Sequence, residues 1–353
     1  IKIMSEEKAI QKYIDEKKEL QYLVLQIIDE SESEDDTVFE KLNTFLEIHH
    51  YENNKSELEH FLHLISTISV NHHRIPNFFE KIEKILTISS KFFKSIFSNK
   101  ELFTIFQDSQ PILLFLLRSK IILIDQIIFQ LLTKYQINIE GENVYYFYPE
   151  LESMIKTCTI NNAQEEYIKL QKQEYIENFE TNRHQFENES KLCSMIREDL
   201  IDEFISYVNK NHISLESEIE RSIFETNSIF NEKNPTLIEY AAFFGSIQIM
   251  KYLYINNVEM ESSIWLYAVH SNNAEVIKFL EEKKIFMDDK TFSEAIKCHH
   301  NDIAHYIYDN YLDNSSNITE LNDIDLLSIY SSSNFEFFSY EIDENKIFFA
   351  LCK

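Results

Sequence analysis

The sequence predicts an all-α fold, an α-solenoid of antiparallel helix pairs whose C-terminal half is built from repeats. Three observations carry this expectation. The 353-residue chain contains only 2 Gly and 4 Pro, with few alternating apolar runs bounded by turn residues, so sheet is disfavoured. Apolar residues recur at helical spacing along most of its length. After position 236 the same frame returns, with Ala241, Ala268 and Ala295 at intervals of 27 residues.

The clearest copy is NPTLIEYAAFFGSIQIMKYL, residues 234–253. Thr236 to Ala241 falls on the ankyrin pattern T-P-L-H-x-A, with Leu237 for Pro and Glu239 for His. Ala241 and Ala242 are small enough for close helix approach, and Ile249, Met250 and Leu253 form an apolar stripe on the second helix. Gly245, one of the two glycines, stands where the first helix must end in a left-handed residue. In the second copy, Ser263 to Leu280, Asn272 takes that place, and Asn tolerates the left-handed region best among non-glycine residues. A third copy starts at Thr291, with Asp302, Ile303 and Tyr306 in register but His299 at the glycine position. The repeats are read as 236–261, 263–288 and 290–311. A period of 27 against roughly 33 for the ordinary repeat shortens the hairpin fingers, because both helices are retained. The alternative is an unrelated bundle of equally long helix pairs.

Residues 1–160 read as an N-terminal helical domain. A helix over 5–30 places Ile10, Tyr13, Ile14, Leu20, Leu23, Val24, Ile27 and Ile28 at helical spacing and breaks in the acidic run ESESEDD. Helices follow at about 36–51 and 56–70, the second opened by a capping box at Ser56–Glu59. Pro76 suits the first turn of the next helix, with Phe79, Ile82, Ile85 and Leu86 on one face. Short helices continue near 92–107, 111–118, 120–135 and 149–157. Residues 161–190, charged almost throughout 163–187 with a thin apolar line at Tyr167, Ile168, Tyr175, Ile176 and Phe179, read as a solvent-exposed connecting helix or linker. The array is expected over 191–353, with LCSMIREDLIDEFISYV as a degenerate copy and Ser222–Asn227 as a partial one. The final run IFFALCK reads as an array continuing past Lys353.

NHHRIPNFFEKIEKIL, IREDLIDEFISYVN, PTLIEYAAFFGSIQIMKYL, WLYAVHSNNAEVIKFLEE and IKCHHNDIAHYI together resemble a large protist family of ankyrin-repeat proteins that includes a helical domain of unknown function. The resemblance implies the repeat fold and a general role in protein interaction. It lends no catalytic residue and no ligand.

Composition narrows the function. A net charge of −27 repels phosphate backbones and anionic lipid, so nucleic acid is an unfavourable partner and a basic protein surface a favoured one. Cys158, Cys193, Cys298 and Cys352 are scattered with no CxxC, as in a reducing, cytoplasmic setting. The apolar stretch 111–133 is interrupted by Arg118, Lys120 and Asp125 and reads as two buried helices rather than a membrane span. No phosphate loop can be built from two isolated glycines, and no HExxH or GxSxG motif is present, so no enzyme class and no cofactor is indicated.

Histidines are the one source of candidate chemistry: His49–His50, His60 with His63, His72–His73, and Cys298–His299–His300 with His305. Neighbours on a helix point about 100° apart, so only His60 and His63 have chelating spacing, without a third ligand. No metal is therefore expected. A metal-dependent or thiol enzyme on these helices is the rival reading, and converging His, Cys and carboxylate groups would favour it. Trp265 is assigned to the core because it aligns with Ile238. Tyr240, Phe244, Tyr267, His270 and Ser271 have two readings: a partner-binding concave face, or burial by the neighbouring repeat.

Overall fold

The computed structural model describes residues 2–30, 37–134, 146–155, 178–230, 233–288, 290–312, 328–329 and 331–337. Among them the regular structure is helical and no strand is formed. The run 31–36, residues 161–177 of the charged connection, Gly141, Cys158, Cys352 and the terminal apolar run lie outside the described residues. Long-range packing divides the chain into two compact units, Ile1–Phe93 with Met260–Lys353, and Lys94–Glu259. These bounds differ from the segments read from local composition, which carries no information on distant contacts.

The first unit opens with α1 (Lys2–Asp29), α2 (Thr37–Ile48), α3 (Lys55–Asn71) and α4 (Phe78–Phe93). Ile14, Leu20, Leu23, Val24, Ile27 and Ile28 of α1 are buried as their spacing requires, whereas Ile10 is exposed. Two expected starts are corrected. Helix α3 begins one residue before Ser56, so Asn54 is its cap and accepts the Glu57 amide at 3.4 Å. Pro76 precedes α4, because Asn77 is left-handed at φ 61° and the helix can start only beyond it. The apolar face Phe79, Ile82, Ile85 and Leu86 is buried.

The second unit contains α5 (Asn99–Phe106), α6 (Gln110–Arg118), α7 (Gln126–Lys134), α8 (Tyr148–Ile155), α9 (Phe179–Gln185), α10 (Lys191–Arg197), α11 (Ile201–Asn211), α12 (Leu237–Phe244) and α13 (Ile247–Ile255). Ser98 and Glu101 cap α5 reciprocally. The stretch 111–133 forms α6 and most of α7, broken by left-handed Lys120, and among the described residues no helix is long and apolar enough to cross a membrane. Where the charged connection is described, it is not the exposed segment its composition suggests. Arg183 of α9 is wholly buried, donating to both Glu150 oxygens at 2.7 and 3.1 Å, to Glu180 at 2.6 Å and to the Tyr146 carbonyl at 2.8 Å. A buried cation is tolerable with that many acceptors. Ser222–Asn227 forms turns leading to the short 3-10 helix Ser228–Phe230 and not a helix pair.

Helices α10 and α11 stack beside α12 and α13. Thr236 and Glu239 form a capping box, which explains the Glu where the pattern has His. Gly245 ends α12 at φ 76°, as expected, and Asp199 takes the same left-handed conformation at φ 50° after α10. The Asp199 carboxylate reaches the next pair and accepts the amides of Gln248 and Ile249, each at 3.0 Å. Ser246 Oγ donates back to the Ile196 carbonyl.

The chain then returns to the first unit with α14 (Ile264–His270), α15 (Ala274–Glu282), α16 (Lys290–Lys297) and α17 (Asn301–Ile307). Asn272 and His299 are left-handed at φ 48° and 57°, in the 27-residue register of Gly245. The matching side chains Ile238, Trp265 and Phe292, then Ala241, Ala268 and Ala295, then Leu253, Leu280 and Ile307, are all buried. Trp265 also donates Nε1–H to the Ile285 carbonyl at 3.1 Å. One contact recurs between successive pairs: the residue after the left-handed turn donates to the carbonyl three residues before the preceding turn. Ser246 does so to Ile196, and His300 Nδ1 does so to Val269 at 2.6 Å. Asn334, after left-handed Ser333, does so to Ile296 at 2.9 Å.

Candidate histidine cleft

The C-terminus of α3 and the turn between α16 and α17 bring four histidines together. His72 caps α3 in an extended conformation (φ −73°, ψ 148°), so His72 and His73 are not helical neighbours. Their rings lie 4.6 Å apart, and the His300 ring lies 4.8 Å from the first and 5.0 Å from the second. The expectation that adjacent histidines diverge is corrected here, because it holds only on a helix. His60 and His63, which do have helical spacing, gain no third ligand among the described residues.

Hydrogen bonds fix which ring nitrogens carry protons, since carbonyls and carboxylates only accept. His72 donates Nδ1–H to the Cys298 carbonyl at 2.7 Å, His299 donates to the Lys297 carbonyl at 3.2 Å, and His300 donates to Val269. All three therefore turn Nε2 away from the backbone. His72 Nε2 meets Asp29 Oδ1 at 2.9 Å, with a proton shared between them. His300 Nε2 accepts from His73 Nδ1–H at 3.0 Å. His299 Nε2 is buried with no hydrogen-bond partner.

Electrostatics follow this arrangement. Burial, reinforced by the His72 charge, lowers His73 to about 4, and burial lowers His299 to about 3. Burial first, then the charges of His72 and His73, hold His300 well below the ordinary imidazole value. Partial burial acts to raise Asp29, but its hydrogen bond to His72 and the charge of that ring outweigh it and lower the carboxyl. His72, His299 and His300 line an open cleft of about 420 Å³, together with Asp29, Asn272 and Asp302.

A second cluster lies behind the Cys298 carbonyl. His270 Nε2 donates to Glu294 Oε1 at 2.9 Å, and Cys298 Sγ faces His270 Nδ1 at 3.4 Å. Lys297 also bonds Glu294 at 3.0 Å. Burial acts to raise Glu294, yet His270 and Lys297 bring it down to about 2, while burial pushes the Cys298 thiol well up. The imidazole stands between thiol and carboxylate with a different nitrogen toward each, so the hydrogen bonds make the three groups a relay, and one ligand atom from each also lies within 4.8 Å of the others. Cys298 has no solvent-exposed surface, which removes the access a nucleophile needs.

The residues considered for a concave binding face are placed otherwise. Tyr240, Tyr267 and His270 are buried, and Phe244 and Ser271 are half-buried. Tyr240 accepts from Arg197 at 3.0 Å and packs on Phe244 with ring centroids 4.7 Å apart. Ser271 Oγ bonds the Ala268 carbonyl at 2.7 Å. As a set they stabilise the helix pairs and do not form an exposed patch. Comparison of the chain with protein-family models, curated proteins and solved structures finds no match.

Proposed function

We propose that the chain is a protein-binding scaffold of ankyrin-repeat type, cytoplasmic, with a basic protein surface as its partner. The observation that carries this reading is the 27-residue register, in which left-handed turns at Gly245, Asn272 and His299 coincide with buried Ala241, Ala268 and Ala295. Helix pairs of this kind bury their apolar faces only against neighbours and leave extended outer surfaces for recognition. The alternative, a metal-dependent or thiol enzyme on the His-rich helices, gains converging His, Cys and carboxylate groups but lacks an accessible thiol nucleophile.

Because the first-helix aromatics are buried, recognition moves to the second helices and the finger. Tyr306 and Tyr311 both donate to Glu281 Oε1 at 2.7 Å, Tyr308 follows between them, and Phe286 projects from the finger with 77% of its surface exposed. Exposed aromatics around a carboxylate suit a Lys- or Arg-rich segment, by cation–π and ionic contacts.

Fluorescence anisotropy with labelled basic peptides and acidic peptides of matched length tests the reading. Basic peptides should bind, more weakly at higher salt, and the double variant Tyr306→Ala/Tyr311→Ala should lose roughly tenfold or more in affinity while keeping its melting curve. Equal binding of both peptide classes, or an unaffected double variant, would contradict it.

A further inference from the structure

We propose that the histidine cleft is a binding site for a borderline-soft divalent transition metal such as Zn²⁺, held by His73 Nδ1, His300 Nε2 and a ring nitrogen of His72, with Asp29 beside them. One ring nitrogen from each histidine lies within 4.8 Å of the others. His73 Nδ1 and His300 Nε2 are 3.0 Å apart, close to the roughly 3.3 Å between two nitrogens on a tetrahedral zinc with Zn–N bonds near 2.05 Å. For this pair a few tenths of an ångström separate the two arrangements, and the His72 nitrogen, within 4.8 Å, has further to move.

The tautomers support the assignment. A metal-bound imidazole characteristically donates its other N–H to a carbonyl or carboxylate, which fixes the ring and leaves the ligating lone pair forward. His300 is held this way by Val269, His299 by Lys297 and His72 by Cys298. His299 adds independent support. The residue lines the cleft and its Nε2 is buried with no partner, although an unpaired buried acceptor is costly. A metal-bound water in the cleft supplies the missing donor.

Binding needs two proton movements and no redox step. His73 transfers its ring proton from Nδ1 to Nε2, freeing the lone pair that faces the metal. His72 keeps the proton given to Cys298 and loses the one shared with Asp29 to solvent water or buffer through the open cleft. The Asp29 carboxylate, about half exposed, then faces the metal charge in place of that shared proton.

Metal-free full-length protein titrated with Zn²⁺ and with Co²⁺, followed by calorimetry and by cobalt absorption, provides the test. One ion per chain should bind, with the intense visible bands of tetrahedral cobalt. His73→Ala should abolish stoichiometric binding, and Asp29→Asn should weaken it roughly 10- to 100-fold as an outer-shell change. His60→Ala/His63→Ala, which removes the other histidine pair, should leave binding unchanged. X-ray absorption of the zinc-loaded wild type guards against misfolded variants and should show at least two imidazoles and no sulfur around the ion. Absence of stoichiometric binding, loss of binding with His60 and His63, survival of binding in folded His73→Ala, or sulfur at the metal would each overturn the proposal.

Discussion

Gly245 and His299 hold the same left-handed backbone conformation, φ 76° and 57°, at positions two repeats apart. Gly pays no steric cost there, whereas a β-branched residue is strained. Gly245→Val should therefore destabilise the protein by more than about 1 kcal/mol in a urea melt. Wild-type stability would mean that this turn does not end α12 as described.

Ser246 is buried and its hydroxyl bonds the Ile196 carbonyl of the preceding helix pair. Ser246→Ala leaves that carbonyl without this donor, at a cost of about 1–2 kcal/mol. Ser246→Thr should recover part of the loss in the same chemical melt, and equal stability of all three proteins would remove the bond from the account.

Arg183 gives a larger effect. Arg183→Ala leaves the mostly buried Glu150 with only its Arg118 partner and takes the donor from the Tyr146 carbonyl, and should cost about 2–3 kcal/mol by thermal or urea unfolding. Arg183→Lys should not restore stability, because an ammonium cannot reproduce the fork to both Glu150 oxygens and the contact to Glu180. A fully stable Lys variant would show that charge alone suffices.

Acid should act through Glu294. Its folded value of about 2 lies below its ordinary 4.5, so the unfolded chain binds the proton more readily. The stabilisation is present above pH 4.5 and is lost as pH falls toward 2, amounting to about 3 kcal/mol. Unfolding free energies measured from pH 5 to pH 2 should fall less steeply for Glu294→Gln than for wild type. Identical slopes would contradict the contacts of Glu294 with His270 and Lys297.

The repeat frame was legible because a few positions admit few residue types: Ala where helices touch, and Gly or Asn where φ is positive. Its further copy at Ser333–Asn334 was not, since it lies 34 residues beyond His299 and carries neither Gly nor Ala. Helical periodicity also left the two readings of Tyr240 undecided. Nearly every residue of α12 is buried, so a face could be counted but no face was outside. The histidine cleft was hidden for a different reason. His73 and His300 stand 227 residues apart, and the rule for adjacent histidines assumed a helix that ends at Asn71. Arg183 was obscured in the same way by its charged neighbours, because its burial depends on Glu150 and Tyr146 from distant sequence.

The most direct test of the account is the tautomer of His300, whose Nδ1–H both ties one helix pair to the preceding one and turns Nε2 into the cleft. Free neutral histidine in water favours the Nε2–H form, so the two alternatives are distinguishable. Long-range ¹⁵N–¹H correlation NMR on histidine-labelled protein at neutral pH, with His300→Gln used to assign the signal, should show a neutral His300 protonated at Nδ1. A His300 protonated at Nε2 would contradict the hydrogen bond to Val269, the recurring contact between helix pairs and the orientation of the cleft together.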